Sequence, residues 1–220
     1  MNLPVKQPSN KKNSRAPGPR GPVHVCGVDE AGRGCLAGPI FAAAVILDPS
    51  QPIEGLADSK ALSPERRFAL EAEVKRRALA YGIASAGVKE IDRNGIDWSN
   101  RIAFTRAVRE LLRRFPDVDP HSLLVLIDGT RPALRLGLAQ VTVKGGDRSE
   151  PAISAASILA KTARDRYVVE VMHPRFPQYE FDRHKGYGTR SHIEAIRRWG
   201  PSPVHRMSFS HGNKAAEGTQ

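Results

Sequence analysis

Residues 25–47 read VCGVDEAGRGCLAGPIFAAAVIL, and this stretch limits what the chain can fold into more tightly than any other. Val25, Cys26 and Val28 form a short apolar run ending in two adjacent acids, Asp29 and Glu30. A glycine-rich segment follows, then a second apolar run from Ile40 to Leu47. Apolar runs of this length bounded by Gly and Pro read as buried strands. The expected unit is strand, glycine turn, strand, with two carboxylates at the end of the first strand. Successive strand side chains point to opposite faces, so Asp29 and Glu30 share a face only if the strand bends. An ionised carboxylate beside a buried strand is costly unless paired or bound to metal. An Asp-Glu pair can also simply end a strand in water. Gly32, Arg33 and Gly34 add weight to a site for an anion and a metal. Glycine lets a ligand come close to the backbone, and arginine supplies a fixed cation.

The rest of the chain alternates helices and strands. Ser63, Pro64 and Glu65 form a helix start, with Ser as cap and Pro at the first helical position, and the helix is expected to run to about residue 80. Residues 83–91 alternate weakly and are expected as a strand. Asn94-Gly95 marks a turn, and Asp97 is the expected cap of the next helix. There Phe104, Val108, Leu111, Leu112 and Phe115 recur at helical spacing, which makes a core stripe with no function of its own. Residues 122–127 are a continuous apolar run that delivers Asp128 at its end. In open α/β sheets ligands gather at the carboxyl ends of strands. Asp128 can therefore join Asp29 and Glu30, or merely open the turn before Gly129. Residues 139–143 form another short strand, followed by Lys144, Gly145, Gly146 and Asp147. Three strand ends delivering acids is the arrangement that hard divalent cations need. A long helix is expected from Pro151 past Arg166, kept slim by Ala152, Ala155, Ala156, Ala160 and Ala163. Ser154, Ser157 and Lys161 share another face, which either packs or points into the site. Asp165 is read as the helical ion-pair partner of Lys161, not as a ligand. A Gly- and His-bearing loop spans 182–189, and a last helix 189–199.

The formal net charge of +11 points to a polyanionic partner. Five of those charges belong to residues 1–21, a Pro-rich stretch with no acid that is expected to be a disordered tail. The remainder is still basic. No apolar run approaches membrane-spanning length, and the first residues lack the apolar centre of a secretory signal. Cys26 and Cys35 make no CxxC pair and read as two buried thiols in a reducing compartment, so the expected location is cytoplasmic. The seven histidines show no zinc spacing.

DEAGRGCLAGP, beginning at Asp29, resembles the signature of ribonuclease HII, the type 2 ribonuclease H family, very closely. DSKALS at 58–63, VLIDGTRP at 125–132, AISAASILAKTARDR at 152–166, DRHKGYGT at 182–189 and GPSPVHRMSF at 200–209 agree in order and spacing. The resemblance thus covers residues 22–210. It implies an α/β, ribonuclease H-like fold: a mixed central sheet flanked by helices, with a C-terminal helical extension. Residues 22–210 would be the catalytic domain, between tails at 1–21 and 211–220. Matching motif to motif, it implies that Asp29, Glu30, Asp128 and Asp147 hold Mg²⁺ or Mn²⁺. This chain reads KGGD where the bacterial pattern has KGD, one residue longer before the acid. The family cuts the phosphodiester 5′ of a ribonucleotide in duplex DNA, leaving a 3′-hydroxyl and a 5′-phosphate, and cuts RNA in RNA–DNA hybrids. By the same resemblance Gly32, Arg33 and Gly34 would read the 2′-hydroxyl, and Tyr187 would stack on the neighbouring sugar. Lys60, Ser154 and Lys161 would lie on the substrate side of the site. The expected partners are RNA–DNA hybrids and ribonucleotide-containing duplexes, with the chain acting as a monomer. The sister ribonuclease HIII usually carries an extra N-terminal domain and a lysine at the Arg33 position, unlike this chain. A non-catalytic nucleic-acid binder would not need the full set of acids.

Overall fold

The computed structural model describes residues 24–56 and 62–211. Both expected tails lie outside them, apart from His211, as does the loop carrying Lys60. Strands β1 (His24–Ala31) and β2 (Ile40–Ile46) flank the glycine turn, as the apolar runs require. Helix α1 (Pro64–Arg77) starts at Ser63, whose hydroxyl accepts the Arg66 N–H. Then come β3 (Ala80–Ala86), α2 (Val88–Asn94) and α3 (Ile96–Arg114). Next are β4 (Leu123–Asp128), β5 (Ala139–Val143) and a single turn, α4 (Gly146–Ser149). Helix α5 (Pro151–Tyr167) runs on into a π-helical turn (Val168–Met172). Short α6 (Phe181–His184) and α7 (Arg190–Trp199), capped by the Thr189 hydroxyl, complete the order.

Among the described residues the strands form one sheet in the order β3-β2-β1-β4-β5. The hairpin side is antiparallel, whereas β1, β4 and β5 run parallel. The mixed sheet is covered on both faces. Val28, Ala42 and Ala44 pack against Phe104, Ala107, Val108 and Leu111 of α3. Ala31, Ala43 and Val45 pack against Ala155, Ala156, Leu159 and Ala160 of α5, with Val74 of α1. The alanine stripe of α5 has a direct use. A Cβ on Gly27 would sit 2.1 Å from the Ala152 backbone, so the helix start lies against the middle of β1.

Local expectation fails in three places. Residues 83–91 are not one strand: the chain leaves the sheet at Ala86 and forms α2, because the Glu90 carboxylate takes the Gly87 N–H at 2.9 Å. Arg106 of α3 then clamps Glu90 at 2.6 Å. Asp97 does not cap α3; that position falls to Gly95 (φ +80°), and Asp97 lies in the first turn. The end of α1 comes at Arg77 rather than near residue 80, since the chain must extend to enter β3. No helix among the described residues is long and apolar enough to cross a membrane.

Candidate active site

The parallel pairing of β1 with β4 assembles the centre of the site. Val28 lies beside Ile127, so the next residues, Asp29 and Asp128, leave adjacent strand ends on the same edge of the sheet. Strand alternation then sends the two acids of β1 to opposite faces, and the helix on each face meets one of them. On the α5 face Asp29, only 5 % exposed, hydrogen-bonds the Ser157 hydroxyl and accepts the Glu30 N–H at 2.7 Å. On the α3 face Glu30 accepts from the Asn100 amide at 3.1 Å. Burial, the Glu30 charge and the Asp128 charge together push the Asp29 carboxyl well above the ordinary carboxylate value, against the bond from Ser157. The three acids therefore share one electrostatic neighbourhood.

Asp147 arrives by a different route. Gly145 takes a left-handed conformation (φ +72°) and turns the chain after β5. Gly146 then donates its N–H to the Asp128 carboxylate at 2.8 Å. A Cβ on Gly146 would sit 2.5 Å from the Ile153 side chain, so the extra glycine of KGGD lets this turn lie flat on α5. Asp147 is 7 % exposed, and its carboxylate lies 3.9 Å from the Arg148 guanidinium. Ser154 is buried, with its hydroxyl on the Asp147 carbonyl at 2.6 Å and the Glu150 carbonyl at 3.2 Å. Ser154 holds the turn that carries Asp147, with its hydroxyl proton spent on backbone carbonyls.

The donor set is all oxygen and anionic, with Asp29 and Asp147 buried and Glu30 and Asp128 partly so, which is the chemistry that hard divalent cations select. As oriented, no three His, Cys, Asp or Glu side chains among the described residues stand close enough together to grip an ion. Instead Glu30 has turned to Asn100 and Asp128 to Gly146. Asn100 itself keeps a buried side-chain oxygen without a hydrogen-bond partner, beside these acids. Carboxylates crowded on a buried aspartate and an orphaned acceptor are what a bound cation with its waters would relieve, so the residues fit such an ion.

The glycine turn is fastened by two arginines that no local pattern marks. Arg164 and Arg206 are both fully buried. Arg206 donates to the carbonyls of Gly32 (2.7 Å), Arg33 (2.8 Å) and Gly38 (2.9 Å). Arg164 donates to those of Pro39 (3.2 Å), Ala37 (3.1 Å) and Lys185 (2.9 Å). Burial lowers the Arg206 guanidinium to about 10, which leaves it charged at neutral pH. Gly32 has φ +91°, and a Cβ there would land 1.9 Å from the Arg164 Nε. Gly34 is different: a Cβ there meets nothing, so its face is open. The Arg33 side chain is half-exposed and lies 3.6 Å from Asp97.

Tyr187 closes the other side of the turn. The residue is 38 % exposed, and its hydroxyl hydrogen-bonds the buried Cys35 thiol. Lys161 and Arg164 approach the ring face at 5.7 and 5.9 Å. Lys161 is paired with Asp165 at 2.7 Å, the helical ion pair expected from their spacing. Cys26 and Cys35 are both buried and free.

The site thus brings together Asp29, Glu30 and Asp128, sets Asp147 one residue from a donor to Asp128, and places Gly32, Arg33, Gly34, Lys161 and Tyr187 around the turn. Asn100, Arg164 and Arg206 are the residues that sequence reasoning left without a role in the site, and of the two readings open for Ser157 the structure has the one that points to Asp29. A signal existed for Arg164. Ser157, Ala160 and Arg164 follow one another at helical spacing, so the buried alanine face of α5 continues onto Arg164.

The family model described as Ribonuclease HII matches residues 26–212. The ribonuclease HII of Idiomarina loihiensis is 49% identical over 187 residues, covering 84% of this chain and 95% of that protein. The ribonuclease HII of Archaeoglobus fulgidus, solved in complex with PCNA, superposes with a TM-score of 0.68 at 23% identity, over 85% of this chain and 95% of that one. Bst-RNase HIII in complex with Mn²⁺ superposes with a TM-score of 0.65 at 17% identity, over 87% of this chain and 68% of that one.

Proposed function

The chain belongs to the ribonuclease HII family, and is therefore a ribonuclease H-type phosphodiester hydrolase; from that premise we propose the details of its reaction. It hydrolyses the bond on the 5′ side of a ribonucleotide embedded in duplex DNA, and also RNA in RNA–DNA hybrids. The ends left are a 3′-hydroxyl and a 5′-phosphate, which suits a role in excising ribonucleotides from DNA. The observation that carries this reading is the β1–β4 register, which sets Asp29 beside Asp128 with Glu30 adjoining.

Asp29, Glu30, Asp128 and Asp147 would hold two divalent cations of the Mg²⁺ or Mn²⁺ type, whose chemistry when bound is to polarise the phosphate and lower the pKa of water. The protein's own groups orient the acids. Ser157 and the Glu30 N–H aim Asp29, the Gly146 N–H aims Asp128, and Asn100 holds Glu30 on the α3 face. Ser154 fixes the turn from which Asp147 projects.

Selection for a ribonucleotide falls to the glycine turn. Arg206 already occupies the Gly32 and Arg33 carbonyls from beneath, so their peptide planes are set before substrate arrives. The open face at Gly34 allows a sugar to approach the backbone, where a 2′-hydroxyl can be read directly. Tyr187 offers an exposed ring for the adjoining deoxyribose, backed by Lys161, whose charge also favours the phosphate. Arg33 supplies a second cation at the rim.

The test is cleavage of three duplexes, all-DNA, single-ribonucleotide and RNA–DNA hybrid, each with and without Mg²⁺. Metal-dependent nicking at the 5′ side of the lone ribonucleotide supports the reading. Salt-sensitive binding to all three duplexes without any nick would leave only a binding protein.

A further inference from the structure

Beneath Tyr187 lies a chain of imidazoles whose protons can each be placed. The Ser202 N–H donates to Nδ1 of His205 at 2.9 Å. Ser202 Oγ also lies 2.8 Å from that nitrogen, and since the Tyr187 carbonyl at the other end of the chain can only accept, Nδ1 of His205 accepts from Ser202 and the neutral ring is protonated at Nε2. That Nε2 faces Nε2 of His192 at 3.0 Å, and two ring nitrogens bond only when one donates and the other accepts. His192 Nε2 is therefore the acceptor, and its proton sits on Nδ1, which points at the Tyr187 carbonyl at 2.8 Å. His184 is arranged alongside: the Gly186 N–H donates to its Nδ1 at 3.1 Å, and its Nε2 lies 2.7 Å from the Tyr179 carbonyl. The His184 and His192 rings stack at 4.3 Å. His192 and His205 are 0 % and 1 % exposed.

The Tyr187 carbonyl has two lone pairs. The Thr189 N–H takes one at 2.8 Å and ties the carbonyl to its own turn. His192 takes the other and ties the same peptide to α7, and through His205 to Ser202. A peptide plane held from two directions leaves the Cα–Cβ bond of Tyr187 little freedom to swing, and the hydroxyl's bond to Cys35 holds the far end of the ring, so its direction is decided before substrate binds.

We infer that His192, backed by His205 and Ser202, is a positioning residue for Tyr187, and that a one-way hydrogen-bond relay from Ser202 to the Tyr187 carbonyl aims the ring at the sugar beside the ribonucleotide. The inference rests on the reading of Tyr187 as the sugar-sensing group. The relay makes this a matter of which ring nitrogen of His192 is used, and a pair of amide substitutions separates the two. In His192→Asn the side-chain amide falls where Nδ1 was and still reaches the Tyr187 carbonyl. In His192→Gln the amide extends to the Nε2 position, satisfies His205 and loses Tyr187.

The experiment measures kcat and KM of both variants on the single-ribonucleotide duplex and on the RNA–DNA hybrid. The expected result is that His192→Gln loses about tenfold in kcat on the single-ribonucleotide duplex relative to the hybrid, whereas His192→Asn stays near the parent. A purely structural histidine predicts the reverse order, since Gln fills more of the space and keeps the His205 N–H paired; that order, or an equal loss on both substrates, overturns the relay. In a Tyr187→Ala background the two variants should become equivalent, and a persisting difference also overturns it. If Tyr187→Ala itself lowers both substrates alike, the sugar-sensing reading fails. The relay is then judged by whether the Asn–Gln difference on either substrate vanishes in that background. A measurement on the unsubstituted protein needs no variant to fold: ¹⁵N chemical shifts of the imidazoles should show the Nδ1–H tautomer at His192 and Nε2–H at His205. An Nε2–H tautomer at His192 would sink the proposal.

Discussion

Replacing Gly32 with alanine tests the construction of the glycine turn most directly. The residue sits at φ +91°, and a Cβ would fall 1.9 Å from the Nε of Arg164. The backbone alone costs about 1–2 kcal/mol for a residue with a Cβ in a left-handed conformation. Arg164 must also move, and it is fully buried with bonds to the Pro39, Ala37 and Lys185 carbonyls. Losing one hydrogen bond from a buried charged group adds roughly 1.5–3 kcal/mol. The sum, about 2.5–5 kcal/mol, is a large part of the roughly 5–15 kcal/mol of an ordinary domain. For a domain of this size Tm should fall on the order of 10 °C. Gly34→Ala is the matched control, since a Cβ there meets nothing. Its Tm should be unchanged while cleavage of the single-ribonucleotide duplex drops on the order of a hundredfold, because the added methyl stands where the sugar must approach. Thermal melting and duplex cleavage on both variants decide the matter. A Gly32→Ala protein melting within about 2 °C of the parent would refute the packing argument. Full cleavage by Gly34→Ala would remove the turn from substrate contact.

Asp29→Asn and Asp128→Asn should each abolish cleavage while the protein stays folded. Asp29→Asn should melt at or above the parent temperature without metal, since it removes a buried charge facing Glu30 and Asp128; added Mg²⁺ should raise Tm of the parent and not of this variant. Tyr187→Ala should lower cleavage of the single-ribonucleotide duplex more than that of the hybrid; equal losses would deny the ring its sensing role. Stability should also depend on pH through the histidines. Burial draws His192 and His205 from 6.5 down to about 4, so between those values the unfolded chain takes up protons that the fold refuses. Stability is intact above pH 6.5 and declines as pH falls through that window, by at most roughly 3 kcal/mol per ring. The charges of His184 and His211 press in the same direction, while Glu180, Asp182 and Lys185 act on His184. Asp29, with its raised value, works with the opposite sign. Denaturant titrations at pH 6.5 and 4.5 should show a smaller drop for His192→Asn than for the parent, and identical drops would contradict the assignment.

Much of the site was legible because strands carry their chemistry at their ends. The apolar runs before Asp29 and Asp128 and the strand before Asp147 announce acids delivered to one edge of a sheet, and the Lys161–Asp165 pair follows from helical spacing alone. The expectation at residues 83–91 failed because a capping interaction, Glu90 on the Gly87 N–H braced by Arg106 from a later helix, outweighed a weak alternation. The missed residues share one cause. Arg206 and Arg164 look like surface charge in a basic chain, yet their acceptors on the glycine turn lie 125 to 174 residues away in sequence.

Periodicity and turn chemistry are local properties, so the chain's order of residues was enough to define β1, β2, β4 and β5, the glycine turn and the acids that end two parallel strands. Which helix meets which acid was settled only by tertiary packing. Ser157 and Asn100 reach Asp29 and Glu30 because α5 and α3 lie on opposite faces of the sheet. The contacts that join Ser202, His205 and His192 to the Tyr187 carbonyl were settled the same way. The physical reason is that a buried polar group must find its partner wherever the folded chain brings one, and that choice leaves no mark on neighbouring residues.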